Sequence, residues 1–84
     1  GNYICRVNNI YEAVRQARNL GINEFYVREY SNEHVNAYIV YNGRIIDIDV
    51  TNPSYLSKKP TAIYKCVIYD KPYPHVECKR VFNI

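Results

Sequence analysis

The chain has 84 residues, which suits one small domain, so 1–84 is read as a single unit. Hydrophobic residues make up 48%, enough for one shallow core, and ten tyrosines stand beside no tryptophan and no methionine. The net charge of +3 is too mild to mark a nucleic-acid binder, which argues against nucleic acid without excluding it. No apolar run reaches membrane length, so no span is expected.

Residues 2–7 alternate like a strand at Tyr3, Cys5 and Val7, and read equally as the opening of a helix. Residues 10–20 are predicted to be a helix, with Ile10, Val14 and Ala17 on one face. Asn9 caps its start, Glu12 sits three residues on as in a capping box, and Gly21 ends it. On that placement Cys5 lies about one turn ahead of the helix. Residues 24–30 read as a strand and 31–33 as a turn.

Residues 34–53 read as a β-hairpin. Asn42-Gly43 supplies the two positive-φ positions of a type I′ turn, between β-branched and aromatic runs at 35–41 and 44–50. A two-residue loop fixes the register: Tyr41 faces Arg44, Tyr38 faces Asp47 and Asn36 faces Asp49. Val35, Ala37, Ile39, Ile46, Ile48 and Val50 then form a core face. His34, Asn36, Tyr38, Asp47, Asp49 and Thr51 form a polar face, where His34 and Asp49 lie diagonally, about 5–8 Å apart at Cβ.

Residues 51–60 read as a polar loop with Pro53 and Pro60, and with Tyr55 and Leu56 tucked in. Residues 61–69 and 76–82 form a second hairpin around a turn of Asp70, Lys71, Pro72, Tyr73 and Pro74. If that turn is symmetric about Pro72, Cys66 lies opposite Cys78, and Tyr64, Cys66 and Ile68 share an apolar face with Val76, Cys78 and Phe82. The expected fold is α+β: one N-terminal helix packed on an antiparallel sheet of about five strands, with two hairpins.

Charge is uneven along the chain. Six Lys/Arg face two acids from Ser57 onward, and five face six acids before it. A basic C-terminal surface suits an acidic protein or a phosphate backbone; a solvated sheet face accounts for the same charges.

Cys5, a helix, Leu20-Gly21-Ile22, a strand, His34, Gly43 nine residues on and Asp49-Val50-Thr51 fifteen residues on follow in order. This order and spacing resemble the transglutaminase-like branch of the papain-like cysteine enzymes, over Cys5 to about Pro53. Ile4 stands where that family carries a small residue, and Tyr38 and Ile45 stand where it carries tryptophan. The resemblance implies Cys5 as nucleophile, His34 as base and Asp49 as the group that orients the imidazole. The chemistry fits the residue types. A thiol needs ionising before it attacks, and an imidazole and a helix N-terminus both favour the thiolate. An Asp on the far ring nitrogen sets the tautomer. Such a site attacks a carboxamide, a glutamine side chain above all, giving deamidation with water, a cross-link with an amine, or proteolysis of a peptide bond. Asn36, Tyr38 and Asp47, on the same face, are the expected substrate-binding residues. No cofactor is expected.

Plain structural readings stand beside these. Cys5 reads also as a buried strand cysteine, His34 as the end of a turn, and Asp47 and Asp49 as polar residues on a sheet face. His75 falls in a proline turn and is expected to be exposed. Cys66 and Cys78 read as core thiols, or as a cross-strand disulfide in a secreted protein. Three scattered cysteines and a histidine lack a close ligand pair, so no metal site is expected. Three functions compete: a cysteine acyl transferase or deamidase, at this size a toxin or effector domain with a protein substrate and a cognate inhibitor; a non-catalytic binding module like small phage-type inhibitors of host enzymes; and a toxin-type ribonuclease using His34 or His75. No signal peptide is visible, so a cytoplasmic site of action is expected.

Overall fold

Among the described residues the hydrophobic pattern resolves into one helix and five strands. The structure, a computed structural model, describes residues 2–32, 34–48 and 58–83, with side chains for 10–32, 34–48 and 58–81. The elements are α1 (Asn2–Asn19), β1 (Glu24–Glu29), β2 (Val35–Tyr41), β3 (Arg44–Asp47), β4 (Ala62–Tyr69) and β5 (His75–Asn83). One antiparallel sheet runs in the order β3-β2-β1-β4-β5, so β1, first in the chain, becomes its centre.

α1 begins eight residues before Ile10, where the spacing alone starts it. Asn9 looks like a cap, but Asn inside a helix costs only about 0.7 kcal/mol or less, too little to stop one. Cys5 therefore sits within the first turn of α1 and not ahead of it, and its reading as a strand residue falls away. At the other end Gly21 takes φ +76°, its N–H donates to the Arg18 carbonyl (3.0 Å), and the Ile22 N–H donates to that of Ala17 (3.0 Å). That pair of bonds is a Schellman cap, which needs the glycine.

α1 lies across β2 and β1 through Ala13 and Ala17, both fully buried, whose small side chains let it sit close to the sheet. Ile10, expected on that inner face, is 36% exposed instead. Phe25, Val27, Val35, Ala37, Ile39, Cys66 and Ile68 complete the core, with Ile46 and Ile48 packed at its margin. Val50 lies outside the described residues.

Asn42 (φ +51°) and Gly43 (φ +74°) make the β2–β3 turn, and Tyr41 pairs with Arg44 and Tyr38 with Asp47. β3 is shorter than the sequence run, though the Ile48 N–H still donates to the Ala37 carbonyl (2.9 Å). In the second hairpin Tyr69 pairs with His75 and Cys66 with Cys78. The two cysteines form a disulfide, with Cα atoms 4.0 Å apart. A bulge at Ile63/Tyr64 pairs Tyr64 with Arg80 and Ile63 with Phe82, interrupting the alternation that would put Phe82 beside Cys78.

Candidate functional site

Alternation along β1 puts Tyr26 and Arg28 on the sheet face turned away from α1, and alternation along β2 puts Asn36 and Tyr38 there too. The face expected to be polar is closed, not bare: Asn36 is 3% exposed and Tyr38 9%. Arg28 ties it together. Its Nη1 donates to Asp47 Oδ1 (2.6 Å) and to Asn36 Oδ1 (3.2 Å), and its guanidinium lies 4.1 Å from the centre of the Tyr38 ring. Tyr26 stacks on the same tyrosine at 5.1 Å, with 12° between the ring planes. Asn36 donates through Nδ2 to the Tyr30 hydroxyl (3.2 Å). Burial raises the Tyr38 pKa, and the cation of Arg28 pulls against it. Asn36, Tyr38 and Asp47, expected to touch substrate, thus come together as a stacked and ion-paired layer between β1, β2 and β3.

Arg28, Tyr26 and Tyr30 do not figure among the residues expected from the sequence. The signal for them is the alternation in residues 24–30, which puts all three on one face, opposite the acids of the neighbouring hairpin.

His34 is half-buried at the mouth of β2. Its N–H donates to Asn32 Oδ1 (3.1 Å), its carbonyl accepts from the Tyr30 N–H (2.9 Å), and its ring sits 6.1 Å from that of Tyr30. It marks the end of the Arg28 face.

α1 runs along β2 on the other side of the sheet. Ile10 and Val35 line one cavity of about 150 Å³ with Val27, Glu29, Tyr64 and the disulfide. Arg15, Gln16, Asn19 and Leu20 border Ile46 near the far end of the hairpin. The amino end of α1 therefore lies toward the sheet end where His34 opens β2. Cys5 is five residues before Ile10, about 7.5 Å further along the helix axis. The Cys5 side chain and Asp49 lie outside the described residues.

His75 is the second histidine site. It opens β5, with its side chain 22% exposed, in place of the exposed turn position expected. Nδ1 lies 2.7 Å from the Tyr73 carbonyl and Nε2 2.9 Å from Glu77 Oε2, while Tyr69 stacks on the ring at 5.2 Å and Tyr73 tilts against it at 5.0 Å. The Tyr73 carbonyl, and then the Glu77 carboxylate, raise its pKa. With Nδ1 against the Tyr73 carbonyl and Nε2 against the Glu77 carboxylate, both ring nitrogens are already engaged, which weighs against His75 as the base of a ribonuclease.

Among the described residues no group of three His, Cys, Asp or Glu is arranged to hold a metal ion, and no helix is long and apolar enough to cross a membrane. No family model, no curated protein and no solved structure matches the chain.

Proposed function

We propose that this chain is a cysteine-nucleophile enzyme of the transglutaminase-like kind, acting on a protein carboxamide. The observation that supports the reading is the length of α1, which starts at Asn2 and so includes Cys5 in its first turn, where the helix N-terminus favours a thiolate. The hairpin is consistent with it, since β2 and β3 pair antiparallel across the Asn42-Gly43 turn with Tyr38 opposite Asp47, as the sequence predicts.

In the proposed reaction the Cys5 thiolate attacks the carboxamide carbon. The N–H groups of the first helical turn, which have no intrahelical acceptor, are the natural donors for the oxyanion. The C–N bond breaks as the imidazolium of His34 gives its proton to the departing ammonia, leaving a thioester. Water, deprotonated by His34, then attacks the thioester to give a carboxylate and restore the thiol; an amine in its place gives an isopeptide bond. Asp49 holds the ring through its other nitrogen. Asn36, Tyr38 and Asp47 belong to the same hairpin, and the Arg28 layer gives His34 a rigid base.

The test is ammonia release from glutamine-containing proteins. Cys5→Ala and His34→Ala are each expected to lower it by at least about a hundredfold with the circular dichroism spectrum unchanged. Undiminished release in Cys5→Ala contradicts the reading.

A binding module is the second reading, favoured by one observation. Val40, Ile45, Tyr69 and Val81, on the sheet face turned from α1, together with Tyr73 of the β4–β5 turn, are all exposed. On that reading Cys5→Ala leaves every measured property of the folded protein unchanged, while alanine substitutions of these side chains abolish partner binding.

A further inference from the structure

We propose that the free edge of β5 docks an extended acidic segment of a partner protein, which adds to the sheet as a sixth strand. β5 is nine residues long, and among the described residues it pairs with β4 alone. The 4.0 Å between the Cα atoms of Cys66 and Cys78 marks a pair that exchanges no backbone hydrogen bonds. By alternation the same holds for Ile68–Val76 and Tyr64–Arg80. The N–H and C=O groups of Val76, Cys78 and Arg80 therefore point away from β4, an unfilled ladder in register for another strand.

Charge selects the occupant. Lys79 stands directly across from Lys65, a like-charge pair that costs stability unless acidic groups approach it. Glu24 already reaches Lys65 at 3.5 Å from the β1 side, and no ion pair to Lys79 appears among the described residues. A groove of about 320 Å³, lined by Lys65, Val67, Tyr69, Glu77, Lys79 and Val81, runs beside the edge; its one acid, Glu77, already contacts His75 at 2.9 Å, which leaves the lysines to meet acidic side chains on one face of an added strand. Parallel, in-register pairing of β5 with a second copy sets Lys79 and Arg80 against their own counterparts and is repelled. The proposal is independent of Cys5 chemistry.

The test uses the folded chain with its disulfide intact and a short peptide of alternating Glu and Val. Binding is expected to protect the Val76, Cys78 and Arg80 amides from hydrogen exchange and to weaken as salt rises. Lys65→Glu with Lys79→Glu is expected to weaken it by about tenfold or more. Arg80→Pro, which removes an outward N–H and no bond to β4, is expected to weaken it more than Arg80→Ala does. Binding that protects amides elsewhere, a self-associated dimer through β5 in sedimentation, or competition by single-stranded oligonucleotide with no amide protection overturns the proposal.

Discussion

Arg28 is the residue on which the polar side of the sheet depends. Its guanidinium serves an amide, a carboxylate and an aromatic ring at once, with Arg28 and Asp47 only 17% and 28% exposed. Removing it strands Asn36 Oδ1 and the Asp47 carboxylate in a half-buried layer. Arg28→Ala is expected to cost about 2–4 kcal/mol of stability by urea unfolding. A loss below about 0.5 kcal/mol would mean the pair behaves as a solvent-exposed one. Arg28→Lys is expected to fall between, since it keeps the charge and loses the planar fork. At His75 the folded pKa lies above the ordinary 6.5, so the folded state holds the proton more tightly than the unfolded chain. Its stabilisation is full below 6.5 and fades as pH rises through the folded value. NMR titration of the ring is expected to show a midpoint above 6.5 that drops in Glu77→Gln; a midpoint at or below 6.5 contradicts the contacts. Neither residue announces its role in the sequence. Arg28 looks like one charge in a strand and gains meaning only when β2 and β3 bring Asn36 and Asp47 to it. His75 sits among prolines, and its contacts appear once β5 begins there and aligns Glu77 with it.

At the scale of elements, what is legible is what is chemically local. Asn42-Gly43 determines the hairpin and its register because two successive left-handed residues admit few sequences. No atom crowds Gly43, so Gly43→Val probes backbone conformation alone and is expected to cost about 1–2 kcal/mol by thermal unfolding, against little change for Asn42→Gly. Gly21 is legible for the same reason. The first turns of α1 are not, because the weak cost of Asn8 and Asn9 is overridden by context that neighbouring letters do not carry. The disulfide was legible only as a pairing: symmetry of the turn puts Cys66 opposite Cys78, and nothing in the sequence fixes their oxidation state. Twelve residues separate the two cysteines, so reducing the bond is expected to lower stability by about 2–4 kcal/mol, read as a drop in melting temperature with dithiothreitol.

For the whole molecule, one helix laid along β2 sets what the ends of the fold can do. α1 runs the same way as β2, on the sheet face opposite the one that His34 ends, so both begin toward the same end of the sheet. The sequence carried the order of Cys5, His34 and Asp49, whereas this placement depends on which face of the sheet α1 covers. The Cys66–Cys78 bond leaves Cys5 as the one cysteine outside it, so one thiol can be followed without interference. The most direct measurement is the rate of Cys5 alkylation as a function of pH, in the native chain and in His34→Ala and Asp49→Asn. The account predicts a midpoint well below the ordinary thiol value of about 8.5, moving back toward it in both variants. A Cys5 that titrates at the ordinary value and ignores both substitutions contradicts it.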